Sequence, residues 1–296
     1  MNISNFCYNM KPSAFVYHAP RTVDEAVATL AAVAPDEGRV IAGGQSLVPA
    51  MALRLAQPGH LVDINGIAAL RRLEVREAAL CIGACVRHAA FDRPAVDGPL
   101  GSLLSTVAQH IAHYPIRTRG TLCGSIANAD PASEWCLVAA TLGATMIARS
   151  TRGTRTLSEP GFFIGIMTTA LASDEILTEV RLPLLSADTR CGFNEFNRRA
   201  GDFAIAMALA TYRVEGGVIV DPHVGIGAVE SQPRRIPEAE ALLRGKPPGA
   251  APFAAAAESA SKAVAPIEEK PDAVAYKRDV VRAVVRRALE AAEQHR

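Results

Sequence analysis

The chain has 296 residues, 49% of them apolar and 5% aromatic, with a formal net charge of +1. That length predicts more than one core, and the scattered basic residues exclude a nucleic-acid binder. No apolar run approaches the roughly 18 to 20 residues of a membrane span, and Met1–Met10 has no apolar segment for export, so a cytoplasmic protein is expected.

Met10-Lys11-Pro12 would itself serve as a translation start, which leaves the residues before Met10 as an extension without a structural role. Phe15–Tyr17 reads as a strand, and Thr22-Val23-Asp24-Glu25 as the capping box of a helix running to about Val33. A second strand, Arg39–Ala42, ends on the turn Gly43-Gly44-Gln45-Ser46, and a helix follows over Leu47–Leu55 with Pro49 near its start. His60–Ile64 is a third strand, with short strands at Leu73–Val75 and Leu80–Gly83 and a helix over Leu100–His113.

Tyr114–Ser125 reads as irregular and leads to a polar turn and a helix near Ser133–Leu142, then strands at Thr145–Ala148 and Ile176–Leu182. The polar stretch Pro183–Arg190 is the expected domain boundary. Beyond it, Phe193–Phe196, Ala204–Arg213 and Val218–Val229 predict an antiparallel sheet, with Glu215-Gly216-Gly217 as a hairpin turn. Pro237–Leu243, Ala250–Ala263 and Ala273–Ala292 read as helices, the last with Val280, Val281, Val284 and Leu289 inward.

Two turns carry candidate chemistry. In Val40-Ile41-Ala42-Gly43-Gly44-Gln45-Ser46-Leu47 the glycines let backbone N–H groups approach a phosphate, and Ser46 is placed to cap the next helix or to donate its hydroxyl. Tight turns also carry Gly-Gly for purely steric reasons. The second turn, Gly120 to Glu134, combines the hydroxyls of Thr121 and Ser125 with a carboxylate at Glu134 suited to ribose hydroxyls. Glu134 would equally complement a helix dipole. Arg117 and Arg119 flank this turn and would add positive charge near phosphates, or face solvent.

Together the run AGGQS and the later T-x-x-G-S-I-A-N-A-D-P-A-S-E resemble the paired FAD motifs of the molybdenum hydroxylase flavin subunits. That family includes the medium subunits of carbon monoxide dehydrogenase and of bacterial nicotine and 6-hydroxypseudooxynicotine dehydrogenases, and the flavin domain of xanthine dehydrogenase. The resemblance runs from about Lys11 to the C-terminus and implies a mixed α/β and α+β fold. A two-lobed FAD-binding domain of the molybdopterin dehydrogenase type would span 11–187, with lobes of about 11–65 and 66–187, followed by a C-terminal antiparallel sheet plus helices over 188–296.

By the same resemblance, Val40, Ile41, Ala42, Gly43, Gly44, Gln45, Ser46 and Leu47 match the first pyrophosphate loop, and Thr121, Leu122, Cys123, Gly124 and Ser125 the second. Glu134 matches the acidic residue on the adenosine ribose, and Leu177 an apolar wall of the flavin site. Ile111 stands where some relatives carry an aromatic. Phe196–Phe203 resembles the F-x-R-R-x-G-D loop near the isoalloxazine ring, which brings in Arg198 and Asp202. Cys123 replaces the first glycine of the family's T-x-G-G, and Asn197 stands where some relatives have a lysine.

The implied role is an FAD electron-transfer subunit, partnered by a large molybdenum-cofactor subunit and a small iron–sulfur subunit in a dimer of heterotrimers. Substrate, expected to be a small N-heterocycle or related compound, would react on the large partner, so no catalytic residue is expected here. The rivals are an assembly subunit with weak or no flavin binding, motivated by Cys123, and a stand-alone FAD oxidoreductase.

No G-x-G-x-x-G, Walker A loop, G-x-S-x-G elbow or H-E-x-x-H occurs. His110 and His113, three apart on the expected helix, would share a face but lack a third metal ligand. The six cysteines (Cys7, Cys81, Cys85, Cys123, Cys136, Cys191) form no C-x-x-C pair, and Cys123 and Cys136 read as small buried residues, so no metal or cluster is expected in this chain.

Overall fold

The computed structural model describes residues 11–268 and 270–294, so the expectation for the segment before Met10, and Cys7 within it, lies outside the described residues. The first lobe is a parallel sheet in the order Val16–His18, His60–Asp63, Gly38–Ile41. The helix Val23–Val33 connects its outer strands, and its capping box is closed by Glu25 N–H donating to Thr22 Oγ1 at 3.1 Å and Thr22 N–H donating to the Glu25 carboxylate at 3.2 Å. The helix buries Ala26, Val27, Leu30 and Val33. The strands Gly38–Ile41 and His60–Asp63 end side by side at the C-terminal edge of the sheet, where parallel sheets bind ligands.

Leu47–Ala52 is helical, three residues shorter at its C-terminal end than the Leu47–Leu55 expected, and Leu55 is exposed. The second sheet is antiparallel in the order Leu73–Arg76, Ala79–Gly83, Ile176–Pro183, Thr145–Ser150, Gly153–Ser158. Gly153–Ser158 escaped the sequence reading because it is an almost wholly exposed edge strand without alternating apolar residues. The small hairpin Phe163–Gly165 with Thr168–Thr169 escaped it for want of length.

The expected helix to His113 ends at His110, and the supposedly irregular Tyr114–Ser125 holds one helix, Tyr114–Arg117, and the start of a second, Leu122–Asn128. Proline explains the break. The ring of Pro115 would collide with the Ile111 carbonyl four residues back, so the chain turns through extended Ile111 and left-handed Ala112 and restarts with Pro115 in a first turn. The helix Leu122–Asn128 then starts from Thr121, whose Oγ1 accepts the Gly124 N–H at 3.0 Å.

The C-terminal sheet runs Arg190–Phe196, Ala206–Glu215, Val218–Gly227, Arg234–Arg235, antiparallel throughout. Gly216 and Gly217, at φ 56° and 83°, make the expected hairpin turn, a pair of left-handed positions that only glycine takes cheaply. One face is covered by the helices Pro237–Leu243, Ala250–Ala263 and Pro271–Gln294, with Tyr212, Phe253, Val281, Val284 and Leu289 buried between them. The other face receives the helix Glu134–Leu142, whose Leu137 and Thr141 lie against Gly225. Thus a helix of the first half serves as a wall of the second. Among the described residues no helix is long and apolar enough to cross a membrane.

Candidate cofactor site

The first glycine turn leaves the parallel sheet beside the second. A Cβ on Gly43 would stand 2.4 Å from the Arg119 carbonyl oxygen and 2.6 Å from Gly120 Cα, so these two segments touch backbone to backbone and glycine is required. Gly44 follows at φ 70°, and the Gln45 side-chain amide folds back to the Gly43 carbonyl at 3.0 Å. The N–H groups of Gly43, Gly44, Gln45, Ser46 and Leu47 donate to no acceptor among the described residues, and none of the five is buried. Such a run of uncommitted amides is free to donate to an anion.

Ser46 occupies the N-cap of Leu47–Ala52 but does not cap it. Its backbone is already helical, with φ −102° and ψ −48°, rather than extended, so the hydroxyl makes no capping bond and stays on the exposed side. Val40 and Ile41 end the strand, half-buried.

In the second loop, Thr121, Leu122 and Cys123 are buried, whereas Gly124 and Ser125 are half-exposed on the outer face of the helix. The Cys123 thiol donates to the Ile82 carbonyl at 3.3 Å, inside the core, and burial pushes its pKa far up. Its backbone lies in ordinary helical space. Cβ therefore points away from the face that Gly124 and Ser125 present, and no left-handed conformation is demanded of a non-glycine residue.

Glu134 is the first residue of its helix, half-buried, with a pKa raised to about 8 by burial first, then by Glu195 and Asp130. Glu195, on the strand Arg190–Phe196, is raised to about 7 by burial, against a hydrogen bond from Asn197 Nδ2 to its Oε1 at 2.9 Å. Its Oε2 is buried without a hydrogen-bond partner and lies 3.8 Å from His110 Nδ1.

His110 and His113 do not share a helix face. His110 ends one helix edge-on to Phe193 with its pKa lowered by burial, while His113 precedes the next and lies against Gly201. Among the described residues no group of three His, Cys, Asp or Glu side chains is arranged around a metal position.

The Gly201 contact sets the hairpin loop holding Arg198 and Asp202, both exposed, against the turn that follows buried Ile111. The Asp202 N–H donates to the Arg199 carbonyl at 3.0 Å. Leu177 sits in the strand Ile176–Pro183, on which the helix Leu122–Asn128 packs, and is 6% exposed. Of the two flanking arginines, Arg117 is committed to Asp92 at 3.0 Å and to the Ile111 carbonyl at 3.3 Å, so its charge is used structurally. Arg119 is exposed and makes no ion pair among the described residues.

Four residues that the sequence reading passed over hold these pieces in place: Asn65, Arg87, His88 and Trp135. His88 N–H donates to the Gly120 carbonyl at 3.0 Å, and its Nδ1 accepts from Trp135 Nε1 at 2.9 Å. Burial, with Arg117 and Arg87 adding, pushes the imidazole down to about 4, so it is neutral and one ring tautomer is fixed. His88 thereby ties the second loop to the residue next to Glu134. Asn65 donates to the Ala42 carbonyl before the first loop and Arg87 to the Arg119 carbonyl before the second. Nothing in the local pattern marks them, since each acts across the fold.

Residues 10–185 match the FAD binding domain in molybdopterin dehydrogenase, and residues 192–292 the CO dehydrogenase flavoprotein C-terminal domain. The chain is 35% identical over 281 residues, 95% of its length and 98% of the relative's, to the nicotine 6-hydroxylase medium subunit of Paenarthrobacter nicotinovorans. Carbon monoxide dehydrogenase from Hydrogenophaga pseudoflava superposes with a TM-score of 0.90 at 35% identity, covering 96% of this chain and 98% of that one. Quinoline 2-oxidoreductase from Pseudomonas putida 86 gives 0.88 at 34%, covering 96% and 99%. The sheets, the paired loops and these likenesses agree, and the chain belongs to the FAD-binding medium subunits of the molybdenum hydroxylase-type oxidoreductases.

Proposed function

We propose that this chain holds FAD between its two loops and passes electrons from iron–sulfur clusters of a small partner subunit to an external acceptor. Val40–Leu47 would take the pyrophosphate together with Thr121–Ser125, Cys123 and Leu122 acting through backbone only. Glu134 would accept hydrogen bonds from the ribose, Ile111 and Leu177 would form apolar walls, and Arg198 and Asp202 would lie on the loop beside the ring. Bound flavin supplies two-electron storage with one-electron exchange. The observation that carries this reading is the run of free amides at 43–47, set directly against the second loop. The Cys123 thiol, hydrogen-bonded inside the core, argues against a flavin-free assembly subunit.

Substrate chemistry is assigned to a large molybdenum-cofactor partner, in a cytoplasmic dimer of heterotrimers. A small N-heterocycle is the substrate class, supported by the names of the nicotine and quinoline relatives. Two measurements test this. Purified chain mixed with FAD and gel-filtered should elute yellow with one flavin per chain; a colourless protein peak would overturn the cofactor reading. The complex copurified through a tag on this chain should reduce an artificial acceptor with N-heterocycles and not with carbon monoxide; the opposite preference would overturn the substrate class.

A further inference from the structure

Asn65 and Arg87 belong to neither glycine motif, yet they join the two. Asn65 Nδ2 donates to the Ala42 carbonyl at 2.6 Å and to the Asp63 carboxylate at 2.6 Å. Arg87 Nη2 donates to Asn65 Oδ1 at 2.6 Å, and its Nη1 donates to the Arg119 carbonyl. The carbonyl just before Gly43 and the carbonyl just before Gly120 are therefore held by one pair of interlocked side chains, at the place where the loops touch. Asp63 anchors the pair to the C-terminal end of the central strand, and it also accepts the Tyr17 hydroxyl and the Asn65 N–H at 2.8 Å.

The peptide plane gives this arrangement a directional consequence. In a trans peptide the N–H points opposite to the C=O, so fixing the Ala42 carbonyl toward Asn65 aims the Gly43 N–H the other way. Gly43 begins the run of free amides. Both Nη groups of Arg87 are committed within the protein, which leaves the guanidinium as a strut rather than a phosphate ligand. A planar fork can span two acceptors at a fixed angle; an ammonium cannot.

We propose that Asn65 and Arg87 are positioning residues that set the spacing and direction of the two loops, and that flavin affinity depends on this clamp. The proposal rests on the FAD reading above. It is tested in the full-length chain with Asn65→Ala, Arg87→Lys and the double variant, measuring FAD affinity by flavin fluorescence quenching and, without flavin, amide hydrogen exchange. Each single variant should weaken FAD binding roughly tenfold, and the double variant should be little worse than either, because both break one unit.

In the flavin-free chain, Arg87→Lys should speed exchange both at Val48, which donates to Gly44, and at Gly120, which donates to Ile116. Wild-type affinity in Arg87→Lys would overturn the proposal, since it would mean that charge suffices. Additive losses in the double variant, or exchange altered only around residue 87, would overturn it too. A wild-type chain that takes up no FAD would sink the flavin reading, and the exchange arm would still decide whether the clamp orders the loops.

Discussion

Cys123 shows how a side chain is judged by where its Cβ points. Restoring the family's glycine there would remove a buried thiol and put a glycine in the interior of Leu122–Asn128. Cys123→Gly should therefore cost about 1–3 kcal/mol in urea unfolding, with FAD affinity unchanged. Tighter FAD binding in this variant would show that the native Cβ does crowd the phosphates. Glu134 and Glu195 pose a different question, because both hold their proton more tightly folded than at the ordinary glutamate value of 4.5.

Groups raised in this way give stability that is complete below that value and is lost as pH climbs through about 7 for Glu195 and about 8 for Glu134. His110, which faces Glu195, is lowered and gives the opposite slope, but only as pH falls through its ordinary 6.5. Asp130 and the neutral Asn197 complete the surroundings. Urea midpoints of the flavin-free chain should thus fall from pH 6.5 to about pH 9, and Glu195→Gln should flatten the fall. An unchanged slope in that variant would refute the assignment.

Among the elements, the short helix Leu122–Asn128 has the most to lose from one atom. Thr121 Oγ1 is its N-terminal cap, so Thr121→Ala should cost about 1 kcal/mol and weaken FAD binding, whereas Thr121→Ser should restore both. Equal losses in the alanine and serine variants would indicate that the methyl group, not the oxygen, is what matters. This helix also marks the limit of local reading. Thr121 was visible as a hydroxyl for phosphate, but seven helical residues holding a glycine, after a stretch broken by Pro115, carry too little periodicity to be told from a turn. The capping box at Thr22 and the Gly216-Gly217 hairpin were legible because each is a complete local rule.

At the scale of the whole molecule, the helix Glu134–Leu142 couples the two halves. Its Leu137 is buried within the first core yet touches Gly225 and Gly227 of the C-terminal sheet. Unfolding should be a single transition, with fluorescence of Trp135, the chain's one tryptophan, coinciding with far-ultraviolet circular dichroism. Leu137→Ala should destabilise by about 2–5 kcal/mol and move both signals together. Separate midpoints would mean that the halves fold independently.

The amino-acid sequence alone determined the first strands and helices, the C-terminal hairpin and its helices, and the two turns with Glu134 at a helix start, because caps, turn glycines and apolar periodicity act within a few residues. It marked Cys123 as a departure from the family's glycine. Only the tertiary structure decided what that departure does, and that Ser46 leaves its helix uncapped. Tertiary structure also brought Asn65, Arg87 and His88 to the loops from other strands and turns. The direction of a Cβ, and the partner of a carbonyl far along the chain, are fixed by packing between elements, about which neighbouring residues carry no signal.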